Sequence, residues 1–205
     1  MNFDEVKKEI KTECNANGIR FFAGRGKTVK NGTINCNGFF CDGEDYDTGE
    51  KFQPTLAFAN NPNSFDVLVH EYCHMQQWLE GSPLWSNLRN NGFMWDWLNG
   101  DDSIEFSKVE DSMLAYYGIE LDCERRAIAQ HRKWKTKYRK ELYDYIQKAN
   151  AYTMFYFYLI ENRKWYKAGK EPYNLKSVWS KMPKSFTFNR LKCYNQVSKL
   201  FDKCI

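Results

Sequence analysis

A change of periodicity near residue 60 limits the folds open to this chain more than any other feature. Before it, the apolar residues fall in short β-prone runs: Ile19-Arg20-Phe21-Phe22-Ala23, Gly32-Thr33-Ile34-Asn35-Cys36, Gly38-Phe39-Phe40-Cys41 and Pro54-Thr55-Leu56-Ala57-Phe58-Ala59. Gly, Asn and Asp separate them, as they separate strands joined by tight turns. After it, the spacing becomes helical. Asn60-Asn61-Pro62-Asn63 reads as a loop, with Ser64 or Asn63 as helix cap, and Gly81 with Pro83 as the stop. This predicts a helix over about 65–80, with further helices over about 110–132, 136–166 and 189–203. Residues 81–108, rich in Trp, Asn and Gly, read as a long loop with short helical pieces. At the N-terminus Phe3, Val6, Ile10 and Cys14 recur at helical spacing, predicting a helix over 3–16. The expected fold is α+β: a small, mostly antiparallel twisted sheet from residues 19–60 packed on the 65–80 helix, followed by a helical C-terminal half.

With 205 residues, 42% of them apolar, the chain is long enough to bury a core and is read as one domain over 1–205, with a core over 1–132 and a helical extension over 133–205. The seven cysteines are odd in number, Cys36 and Cys41 are too widely spaced for a Cys-x-x-Cys pair, and Met1-Asn2-Phe3-Asp4-Glu5 does not resemble a signal peptide. Reduced thiols and a cytoplasmic location follow, or a host cytoplasm if the chain is viral. Richness in Lys, Asn and Tyr is what an AT-rich genome would give. No run approaches the roughly 18 apolar residues of a membrane span. The net charge of +4 is too small to imply nucleic acid by itself. Arg132 to Lys140 is locally very basic, however, and is read either as a solvated helix face or as a surface for an anionic partner.

The segment His70-Glu71-Tyr72-Cys73-His74 carries the most specific chemistry. On a helix, residues four apart lie about 40° apart around the axis and one turn along it. Two imidazoles can therefore grip one zinc ion from the same face, and Glu71 stands where its carboxylate can take a proton from water. Catalytic zinc takes three protein ligands. Glu120 is the first candidate for the third, with Glu124 one turn on as the carboxylate that orients a histidine. The competing reading of these acids is a solvated pair beside Arg125 and Arg126. Glu80 is a rival ligand. If the helix continues to Gly81, it projects about 9 Å beyond His74. His131 reads as a surface histidine, Cys73 and Cys123 as packing residues, and Tyr116 or Tyr117 as possible hydrogen-bond donors to an oxyanion.

His-Glu-x-x-His on one helix, followed by Glu-x-x-x-Glu on another, resembles the zincin metallopeptidases of the glutamate-ligand type, the gluzincins. The resemblance covers His70–His74 and Glu120–Ala127, and more loosely Thr55–Ala59. That group often has Asp where this chain has Glu124. The resemblance implies zinc on His70, His74 and Glu120, Glu71 as general base, and hydrolysis of a peptide or protein substrate. It also implies that Thr55–Ala59 is the edge strand that pairs with substrate. The alternative is a zincin-like scaffold that binds without cleaving, associated with nucleic acid through residues 132–140 with Trp134 and Tyr138. Oligomeric state is not readable from the sequence.

Overall fold

A computed structural model describes residues 1–45, 48–88 and 91–205. The fold is α+β, with a small sheet and a helical C-terminal half. The chain divides into two compact units. The first comprises residues 1–85 and 129–136, the second residues 86–128 and 137–205.

In the first unit, α1 (Phe3–Ala16) buries Val6, Ile10 and Cys14, the stripe expected from their spacing. A capping box starts it: the Asn2 side chain accepts from the Glu5 N–H, and the Glu5 carboxylate accepts from the Asn2 N–H. Five strands follow: β1 (Arg20–Ala23), β2 (Val29–Asn31), β3 (Ile34–Cys36), β4 (Gly38–Cys41) and β5 (Thr55–Phe58). β2 and β3 form an antiparallel hairpin. The other three form a sheet in the order β1-β5-β4, with β1 parallel and β4 antiparallel to β5. β5 is therefore the central strand, bonded on both sides. This corrects the expectation that Thr55–Ala59 forms an edge open to substrate; β1 and β4 are the outer strands.

The registers assign the two faces of this sheet. Phe21 pairs with Leu56, which pairs with Phe40, and Phe58 pairs with Gly38. Cross-strand partners point to the same side, so these residues share one face. That face packs on α1 and on α2 (Ser64–Leu79): Phe3 meets Phe58 at 6.2 Å, and Phe40 meets Trp78 at 5.6 Å. The other face carries Arg20, Phe22, Thr55, Ala57, Phe39 and Cys41. The β2–β3 hairpin covers part of it through Val29 and Cys36.

α2 begins at Ser64 with Asn63 in the cap position, but no side chain caps it there. The Ser64 hydroxyl instead accepts from the Asn61 N–H and donates to the Ala59 carbonyl, tying the end of β5 to the helix start. Gly81 follows at φ +64°, a left-handed conformation that glycine adopts without strain. Two short helices succeed it, α3 (Pro83–Leu88) and α4 (Phe93–Leu98). The long α5 (Phe106–Lys133) returns its last residues to the first unit. There His131 is fully buried. Its Nδ1 lies 2.7 Å from Thr136 Oγ1, and Phe65 meets its ring edge-on at 5.8 Å. It is not the surface histidine its basic neighbours suggest.

The second unit is built on α6 (Arg139–Asn162), whose residues from Tyr145 to Leu159 are largely buried. Met94, Met113, Met154, Phe155, Val178, Met182 and Phe201 form its core, to which α7 (Lys176–Trp179), α8 (Arg190–Val197) and a final 3-10 turn (Ser198–Lys203) contribute. Among the described residues no helix is long and apolar enough to cross a membrane. All seven cysteines are free thiols.

Candidate metal centre

α2 brings three of the expected site residues together. His70 Nε2 and His74 Nε2 lie 3.1 Å apart, and the rings meet edge-on with centroids 4.7 Å apart. Two imidazole nitrogens bound to one zinc in a tetrahedral shell, each at about 2.0–2.1 Å, are about 3.3–3.4 Å from each other. The spacing thus fits two ligands of a single ion. His74 is also set in the tautomer a metal needs. Its Nδ1 lies 2.8 Å from Gln77 Oε1, an acceptor, so Nδ1 carries the proton and the Nε2 lone pair faces His70. Gln77 itself is fully buried. Its position three residues after His74 on one helix face is the sequence signal for this contact.

Glu71 is buried beneath β4. The fit there is close. A Cβ on Gly38 would come within 2.5 Å of Val67 Cγ1, 2.9 Å of the Ala57 carbonyl oxygen and 3.1 Å of Glu71 Cγ. Glycine at 38 is what lets the strand lie on the helix. Half-buried Cys36 is close enough to sense the Glu71 charge. Burial first, and Glu71 second, push its thiol up to about 11. An aromatic wall stands beside His74: Trp85 lies 6.1 Å from its ring and 5.5 Å from Phe40, and donates to Asp42 Oδ2 at 3.2 Å.

Glu80, the rival ligand, is exposed at the C-cap of α2. The helix runs unbroken to Leu79, so Glu80 lies about 9 Å along the axis from His74, too far for the two to share one ion.

Glu120 and Glu124 lie on α5 within the second unit, with Cys123 on the same helix face. Oε2 of each glutamate is shielded from solvent, and Glu124 is 6% exposed. Arg126 donates to Asp122 Oδ2 at 2.7 Å. Phenols surround Glu120. Burial first, and the Glu120 carboxylate second, hold Tyr152 and Tyr156 well above the usual phenol range. The same carboxylate contributes to raising Tyr116 and Tyr166. Tyr152 and Tyr156 bring their hydroxyls to 3.4 Å. Tyr117 has a different neighbour, Phe157, at 5.1 Å. Cys73 and Cys123 are both fully buried.

Trp134, the ring expected to serve the basic run, is 3% exposed and donates to Glu9 Oε1 at 3.0 Å, so it has no face to offer a base; Tyr138 is 86% exposed. Set against known protein families, curated proteins and solved structures, the chain matches none.

Proposed function

We propose that the chain is a zinc-dependent hydrolase, a metallopeptidase of gluzincin type, with His70 and His74 as ligands and Glu71 as general base. One observation carries this reading: two Nε2 atoms 3.1 Å apart, one of them oriented by buried Gln77, with a buried carboxylate on the adjacent residue. Two imidazole nitrogens turned toward one point, with an amide against the other nitrogen of one ring, are what a shared ion calls for. The third ligand is Glu120, on the Glu-x-x-x-Glu pattern, with Glu124 beside it. Cys123, a thiol on the same face of α5, is the competing donor.

When bound, zinc supplies a Lewis acid that polarises a carbonyl and acidifies a water molecule. Glu71 would be the base, its carboxylate taking a proton and handing it to the departing amine. Its burial under β4 keeps the carboxylate out of bulk solvent. Gln77 holds His74 with its Nε2 lone pair available. If an extended peptide docks by strand addition, β4 is the outer strand next to α2 and has an edge to offer, so the role expected of Thr55–Ala59 passes to Gly38–Cys41.

The test uses the full chain purified without chelator and assayed for zinc content and for hydrolysis of a quenched-fluorescence peptide library. The reading requires close to one zinc per chain, and cleavage that stops in Glu71→Gln while zinc stays. A metal-bearing protein that cleaves nothing would instead favour the non-cleaving binding scaffold.

A further inference from the structure

The sheet face that points away from α2 carries chemistry the metal centre does not use. Arg20 and Phe22 alternate along β1. Their partners in register, Thr55 and Ala57, and Phe39 beyond, lie on the same side. With the loop after β1, this side forms a groove lined by Arg20, Phe22, Arg25, Lys30, Phe39 and Thr55. Gly24, Gly26 and Thr28 line it too. Among the described residues, three cations line the groove and no acid does.

Among the described residues, none of Arg20, Arg25 or Lys30 has a carboxylate partner. Three like charges gathered without counter-charge repel each other, and an anion laid between them removes that cost. The aromatic content narrows the kind of anion. Phe22 is 41% exposed, and the Arg20 guanidinium lies 5.5 Å from its centroid. Exposed rings interleaved with cations are what a single strand needs, because every base has a π-face to stack and every linkage a phosphate to neutralise. An acidic peptide would use the cations but not the ring. A duplex, with its bases stacked inside, would not use the ring either.

We propose that this outer sheet face binds single-stranded nucleic acid, with Arg20, Arg25 and Lys30 on phosphates and Phe22 stacked on a base. The site is independent of zinc and of the peptidase reading. It also differs from the basic run 132–140, whose tryptophan is buried.

Fluorescence anisotropy of a labelled oligo-dT of about 12 nucleotides tests it on the full chain over a salt series. Wild type should bind, with log K against log salt falling at a slope of about −2, roughly 0.7 for each of three phosphates. The double variant Arg20→Glu, Lys30→Glu should weaken binding at least tenfold and flatten the slope. Phe22→Ala should weaken it about tenfold with the slope unchanged. Lys140→Glu should leave both as in wild type. Circular dichroism confirms that each variant is folded, and unchanged zinc content separates this result from the metal centre. The proposal is overturned if wild type does not bind at about 50 mM salt, if the groove variants bind as wild type does, or if poly-glutamate competes as well as oligo-dT.

Discussion

On the side of the β1-β5-β4 sheet that meets α2, Gly38 has no room for a methyl group and Glu71 is buried against the strand; on the opposite side, Phe22 is half in solvent and three cations share a groove. The same four-residue strands build both, because a strand sends alternate side chains to opposite faces. The difference shows how much the surroundings of a strand decide. The inner face is closed by α1 and α2 and can hold a carboxylate away from water. The outer face is closed only in part by the β2–β3 hairpin, and what remains open is charged.

The largest effect that bears on this contrast belongs to Glu71. Glu71→Gln keeps the shape of the closed face and removes its base, so peptide hydrolysis should fall by roughly 10²–10⁴-fold with zinc content unchanged. Loss of zinc in this variant would mean that Glu71 is a ligand and not a base. Next comes the third ligand expected from the Glu-x-x-x-Glu pattern. Glu120→Ala should lower zinc affinity by at least about ten- to a hundredfold in chelator competition, and Glu80→Ala should leave it unchanged. If Cys123→Ser loses zinc while Glu120→Ala keeps it, the thiol is the third ligand.

Some of this arrangement was legible in the sequence, and the reasons for the rest are physical. α1 follows from Val6, Ile10 and Cys14, and the end of α2 from Gly81, because both are local signals: periodicity in one case, a left-handed glycine in the other. The four-residue spacing of His70 and His74 fixes their shared face once the segment is helical. Strand order is not local. Nothing within Thr55–Phe58 says that β1, more than thirty residues upstream, will pair with it in parallel and make it central. β2 was missed because Val29-Lys30-Asn31 has one apolar residue and no alternation to read. The burial of His131 was hidden by its neighbours Arg132 and Lys133. They are solvent-exposed on the same helix end, while the ring turns inward to Phe65 and Thr136.

A smaller effect compares the two faces by stability. Gly38→Ala forces a methyl group against Val67 and the Ala57 carbonyl, and should lower unfolding free energy by about 1–3 kcal/mol. Phe22→Ala, on the open face, should cost under about 1 kcal/mol. Urea denaturation of the two variants side by side gives the ranking, and equal losses would mean that the outer ring is packed and not available. The smallest effect concerns Cys36. Its raised thiol should react slowly with iodoacetamide at neutral pH, and Glu71→Gln should speed the reaction by a few-fold, because one cause of the shift is removed while burial stays. Mass spectrometry of the Cys36 peptide reads this rate. No change would place the Glu71 charge further from the thiol than the account requires.

The central claim is that His70 and His74 hold a metal ion, and the zinc stoichiometry of wild type and of His74→Ala measures it most directly. Purified without chelator and dialysed against metal-free buffer, wild type should retain close to one zinc per chain. His74→Ala, which leaves a single imidazole on α2, should retain almost none while its circular dichroism still shows a folded, helix-rich chain. A wild type that carries no zinc and takes up none on titration, or a His74→Ala variant that keeps its full complement, would contradict the account.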